Sequence, residues 1–121
     1  MLNDYEDEAK ERWGNTDAYK QSTSRTSKYT KDDFAAAKID QEAATEMFVV
    51  AFGNSYAVTS VQAQNAVAAH RAAISKWFYD CSVEMQKNLA VLYIEDHRFK
   101  AYYDGRVRGL AMYVHDAIMA Q

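Results

Sequence analysis

The chain of 121 residues has no proline, four glycines and one cysteine. Little in it breaks a helix: glycine stands only at positions 14, 53, 105 and 109, and the abundant alanine favours helix. A single cysteine cannot close an internal disulfide, which points to a reducing compartment. No apolar run reaches the roughly 18 residues that a membrane span needs. The opening MLNDYEDEAKERW is too acidic and polar for a signal peptide. Net charge is −3, and the 14 lysines and arginines are scattered. They form no basic stripe of the kind that nucleic acid requires. The expectation is one cytoplasmic domain, with no membrane or nucleic-acid contact through this chain itself, and no cofactor.

What is present is apolar residues at helical spacing. Tyr5, Ala9 and Trp13 fall at i, i+4 and i+8, a narrow stripe on a short helix that Gly14 ends. Thr16 and Asp17 can start a second helix, but YKQSTSRTSKY offers only Tyr19 and Tyr29 as large anchors. A helix with so little to bury is marginal by itself. TKDDF reads as a capping box, Thr30 with Asp33, opening a helix over 31–52 whose end, MFVVAF, is expected to be deeply buried. After a stop at Gly53-Asn54, Thr59 or Ser60 caps a helix reaching about Phe78, with Val67, His70, Ile74 and Trp77 on one face. Asp80 or Ser82 starts another, with Met85, Leu89 and Leu92 inward. Asp96 caps a short helix carrying Phe99, Tyr102 and Tyr103, and a last helix over 107–120 buries Val107, Leu110, Val114 and Ile118. No strand alternation is visible, so the fold class is all-α, with six or seven helices.

The stretch KWFYDCS, 76–82, places the lone cysteine beside three consecutive aromatics. Cys81 at a helix start has amide N–H groups and a dipole that favour a thiolate, whereas Asp80 opposes it. The plainer reading is a small buried hydrophobe. Cysteine catalysis would need a base, for which His70 is the candidate, and an oxyanion site, for which the sequence has no glycine-rich loop. His70 is either a core histidine with a satisfied hydrogen bond, a ligand contact, or a metal or haem ligand. His97 and His115 supply no paired-ligand spacing. Nine tyrosines, two tryptophans and five phenylalanines exceed the needs of a small helical core. Together they suggest an apolar pocket with a few polar tips. Met112 and Met119 read as exposed, and Lys100, Arg106 and Arg108 as a solvated basic patch.

The stretches EDEAKERWGNTDAY (6–19), YTKDDF (29–34), HRAAISKWFYDCS (70–82), YIEDHRFKAYYD (93–104) and GLAMYVHDAI (109–118) resemble, in this order, a TipAS domain. This is the antibiotic-recognition domain of TipA-type MerR-family regulators. The resemblance covers nearly the whole chain. It implies a globin-like fold, binding of bulky and largely apolar thiopeptide-like antibiotics, and amino-terminal helices that fold over the guest. It also implies that Cys81, in DCS, adds to a dehydroalanine of such a ligand, which is capture and not turnover. Val83 stands where the family often has proline after CS, and His97 where DPRF is common. The loop from Gly53 to Ser60 varies in the family and is expected at the pocket mouth. No helix-turn-helix is present, so the chain is expected to be an effector domain separated from its DNA-binding half, or a free-standing drug-sequestering protein.

On this reading residues 1–121 are one ligand-binding domain, with a mobile lid at 1–30 and a helical core at 31–121. Trp77, Phe78 and Tyr103 form an apolar wall, His70 gives polar orientation, and Tyr5, Trp13 and Tyr19 close as the lid. Burying about 300 Å² of lid surface yields roughly 7–8 kcal/mol. Ordering about ten residues costs about 10 kcal/mol, so a lid that waits for its guest follows. The alternatives are a haem- or metal-binding protein using His70, and a purely structural interaction domain.

Overall fold

The computed structural model describes residues 14 and 16–121. These contain six helices and no strand: α1 (Asp17–Thr26), α2 (Lys31–Gly53), α3 (Val61–Trp77), α4 (Val83–Glu95), α5 (His97–Asp104) and α6 (Leu110–Met119). The expected helix through Tyr5, Ala9 and Trp13 lies outside the described residues. No helix among the described residues is long and apolar enough to cross a membrane.

Each helix starts where a side chain can take up an orphan amide. Thr16, Thr30, Ser60, Ser82 and Asp96 all accept from a backbone N–H in the first turn. Thr30 and Asp33 complete a reciprocal capping box. The last helix departs from this rule. Its N-cap is Gly109, which sits at φ 88 and has no side chain, so Asp104 reaches forward and accepts from the Ala111 amide at 2.9 Å.

The core lies between α2, α3, α4 and α6, around Phe48, Val67, Leu110, Val114 and Ile118, all almost fully buried. Alanines at 51, 63 and 66 let the backbones of α2 and α3 come close within it. Helix α1 differs, because none of its residues is buried. Polar links hold it to the end of α3: Arg25 donates to the Ser75 carbonyl and to Asp80, and Gln21 accepts from the Asp80 amide.

Three expectations are corrected and one is refined. The MFVVAF segment is not buried all round: Phe48 and Ala51 are, but Met47 and Val50 are 39% and 52% exposed. The 3.6-residue period turns those two to the outside. In α4 the fully buried residues are Gln86, Ala90 and Tyr93; of the three expected inward, Leu89 packs half-buried against the core, and Met85 and Leu92 are half-buried. Arg106 is exposed, as expected of the basic patch, but it is not isolated there, since it pairs with Glu42 and stacks over Tyr102. The loop after α2 does not reach the groove described below. The Gln64 amide ties it through the Val58 carbonyl to Ala117 of α6, and Tyr113 donates to the Tyr56 carbonyl.

The two ends of this architecture should respond oppositely to alanine. Gly109 at φ 88 occupies the left-handed region, which strains any side chain, although an added Cβ would meet the Phe52 ring only at an ordinary contact distance of 3.5 Å. Gly109→Ala should therefore lower stability by about 1–2 kcal/mol. Gly53 has open space around it, so Gly53→Ala at the helix end should raise stability by about 0.5 kcal/mol. Urea denaturation of both variants measures the pair, and a destabilised Gly53→Ala would contradict the account.

Candidate functional site

An open cavity of about 760 Å³ lies between the first half of α2, the second half of α3 and helix α5. Its existence follows from side-chain size. Ala37 and Ala44 on α2 line it, one heptad apart and in register with the core residue Ala51, and Ala73 lines it from α3. Where Phe48 fills the space between helices, there is core. Where only methyl groups face inward, the space stays open. Phe34, Ile74, Phe78, Phe99, Tyr102 and Tyr103 surround it with apolar surface, and Lys38, Gln41, Glu42 and Arg98 stand among the lining residues as polar groups.

The rim toward α5 is fastened. Tyr102 donates to Glu42 at 3.3 Å and meets the Thr45 hydroxyl at the same distance. Arg106 reaches both Glu42 and the Tyr102 oxygen. This clasp joins α2 to the end of α5 across the opening.

The deep part of the cavity is polar in a controlled way. His70 and Tyr93 both line it, and the His70 Nε2 lies 2.9 Å from the Tyr93 hydroxyl. The other ring nitrogen, Nδ1, lies 2.8 Å from the amide nitrogen of Gln86, a residue with no exposed surface. Tyr93 also packs against Tyr103, with ring centroids 5.0 Å apart. Burial pushes the phenols of Tyr93 and Tyr103 well above their ordinary range. Both ring nitrogens of His70 are thus engaged within the protein, which leaves neither lone pair for iron or another metal. The haem or metal reading has no support in this geometry. No cluster of three metal-ligating side chains occurs among the described residues.

Of the residues singled out from sequence, His70, Phe78 and Tyr103 come together in the lining. Trp77 turns away: its indole N–H donates to Asp40 at 2.7 Å, and Tyr29 packs edge-on against its ring. Cys81 is buried in the turn between α3 and α4 and is not among the lining residues. Its Sγ lies 3.6 Å from the Ser82 carbonyl. Burial raises its thiol pKa, against a smaller opposing pull from Arg71. Tyr19 on α1 is half-buried and does not line the cavity either. Tyr5 and Trp13 lie outside the described residues. Sequence reasoning missed Phe34, Phe99 and Tyr102 as lining groups, and Gln86 as the partner of His70. The heptad of alanines at 37, 44 and 51 was the available signal for the hollow.

The profile of the TipAS antibiotic-recognition domain matches residues 5–121. The HTH-type transcriptional activators TipA of Streptomyces coelicolor and of Streptomyces lividans are each 40% identical over 116 residues, covering 96% of this chain. The HTH-type transcriptional activator mta of Bacillus subtilis is 28% identical over 115 residues, covering 95% of this chain. The chain spans about half the length of these relatives, 46%, 46% and 44% respectively. Among solved structures, TipAS of a thiopeptide antibiotic multidrug resistance system from Streptomyces lividans, in complex with nosiheptide, superposes with a TM-score of 0.91. Its sequence identity is 39%, and the match covers 99% of this chain and 84% of that one. The all-α, globin-like fold class is that of this neighbour.

The buried imidazole gives the domain a pH signature. Burial holds the His70 pKa at about 4, below its ordinary 6.5. The unfolded chain takes up a proton near pH 6.5 that the folded chain refuses until about pH 4. Stability from this group is therefore whole above that window and falls as pH drops through it. Between pH 7 and 5 the loss should be about 2 kcal/mol. Urea denaturation at both pH values measures it, and His70→Gln should lack that part of the slope. Equal slopes in the two proteins would place the proton uptake elsewhere.

Proposed function

Since the chain belongs to the TipAS antibiotic-recognition domain family, we propose that it binds bulky, largely apolar, thiopeptide-like antibiotics in the cavity between α2, α3 and α5. It would do so as the effector domain of a MerR-type transcriptional activator, or as a drug-sequestering protein where no DNA-binding half is attached. The observation that carries the reading is the open cavity itself. Its volume of about 760 Å³ suits a sizeable organic guest, and its apolar walls with few polar groups match the usual make-up of small-molecule sites. The proposed action is recognition and not turnover.

In this reading residues 1–30 serve as a lid over the core at 31–121. The support is the polar, unburied attachment of α1, whose links through Arg25 and Gln21 can be exchanged for water at small cost. Tyr19, with Tyr5 and Trp13 beyond the described residues, would pack on the guest from above. Phe78, Tyr103 and His70 form the preformed wall, and Trp77 holds its frame through Asp40. Capture by Cys81 is a separate proposal. Its Sγ would bond to the β-carbon of a dehydroalanine while the α-carbon takes up the proton. A buried thiol off the cavity lining requires the turn at 78–82 to open first.

Calorimetric titration of the full chain with nosiheptide tests the binding, with Phe78→Ala and Phe99→Ala alongside. Each truncation should weaken binding by about tenfold or more, since burying one such side chain is worth about 1.5–3 kcal/mol. No heat from the wild type would return the chain to the class of interaction domains. Intact mass tests capture separately: wild type should gain one nosiheptide mass and Cys81→Ser none, whereas an unchanged wild-type mass reduces Cys81 to packing.

A further inference from the structure

We infer that Gln86 fixes the hydrogen-bond polarity of the cavity floor, so that the Tyr93–Tyr103 pair presents an O–H donor and selects guests that carry an acceptor on an otherwise apolar face. The selection part rests on the cavity being the binding site.

The argument is a count of protons. The orientation of an amide side chain follows from partners that can play only one role. The Val67 carbonyl can only accept, so the Gln86 atom 2.9 Å from it is nitrogen. At the other end, Gln121 donates to the Ile118 carbonyl at 3.0 Å, which fixes its own amide, and it donates to the Gln86 oxygen, also at 3.0 Å. Both ends of Gln86 are thereby assigned. One of its two amide hydrogens goes to Val67 and the other to His70 Nδ1. That nitrogen must accept, so the neutral ring carries its proton on Nε2. The Nε2–H then donates to the Tyr93 oxygen at 2.9 Å.

From there the direction cannot reverse. The Tyr93 hydroxyl proton points away from His70, on the side where the Tyr103 ring packs with its centroid 5.0 Å away. Two phenols have two hydroxyl protons, and even a bond between them would use only one. At least one O–H is therefore left over, and both residues line the cavity. The hydroxyls of the neighbouring rim do not compensate, because the Thr45 hydroxyl spends its proton on the Gln41 carbonyl and Tyr102 is engaged by Glu42. A leftover donor at the bottom of an apolar hollow disfavours a guest that covers it without pairing it. A guest with a carbonyl oxygen or a ring nitrogen lacking hydrogen satisfies it. Gln86 itself does not line the cavity, so it is a positioning residue, and Tyr103 is the residue that sets specificity.

The test has two independent arms on the full chain. Nitrogen NMR of the ligand-free protein, labelled at histidine, reports the tautomer of His70 near neutral pH. The expected form is protonated at Nε2 alone. Gln86→Met should admit an Nδ1–H fraction. An Nδ1–H ring in the wild type would overturn the proton count. The second arm uses quinoline and naphthalene, matched in shape but differing in one ring nitrogen, with Tyr103→Phe, which keeps the ring and the packing. Tyr103→Phe should weaken quinoline about three- to tenfold and leave naphthalene unchanged. Equal effects on the two probes, or none, would overturn the donor role. If neither probe bound the wild type, the cavity reading and the selection would fall together, while the tautomer result would stand or fall by itself.

Discussion

A side-chain amide with no exposed surface is tolerated in an apolar interior only when all its hydrogen-bonding groups are met, and Gln86 meets them from three directions. It takes the Val67 carbonyl and the His70 ring on α3 and the Gln121 side chain after α6. One residue of α4 thus binds the two helices that flank it. An apolar residue of the same length would still pack but would not choose among registers. The amide does choose, because only one sliding position of α4 along α3 brings Nε2 to both acceptors. The position of Tyr93, two turns further along α4, follows from that register, and with it the floor of the cavity.

The hollow is the second consequence of small means. Helix α2 runs for 23 residues with alanine at one heptad position throughout. Over its last turns the neighbouring Phe48 closes the gap to α3 and α6. Over its first turns the large apolar residues Phe34 and Ile39 are 47% and 67% exposed and leave the gap unfilled, and the clasp of Glu42, Tyr102 and Arg106 ties α5 to α2. The same stripe therefore makes both the tight core and the open site. What separates them is one phenylalanine and the angle at which α5 leaves α4.

Much of this was legible in the residues. The caps at Thr16, Thr30 and Asp96 stood in the sequence, and so did the six helical segments, because capping and spacing are local properties. For the next two helices Ser60 and Ser82 were each one of two candidates, and the fold selected them. Phe78, Tyr103 and His70 were legible as a group because the helices that carry them were. The partners of these residues were not. Nothing in the spacing of α4 says that Gln86 faces inward, since a buried amide is decided by acceptors elsewhere in the chain. Trp77 looked like a wall residue and became a strut, because Asp40, 37 residues earlier, takes its indole N–H. Arg106 likewise became a fastening through a glutamate on another helix. In each case the missing information was long-range and polar.

Asp96 ends α4 and begins α5, with a single residue serving as cap for both. Its carboxylate is held by Arg98, whose proximity lowers its pKa to about 2. Tyr93 lies on one side of this joint and Phe99 and Tyr103 on the other, so two faces of one chamber meet at a single pivot. The aperture is therefore bounded at one end by this joint and at the other by the clasp on α2.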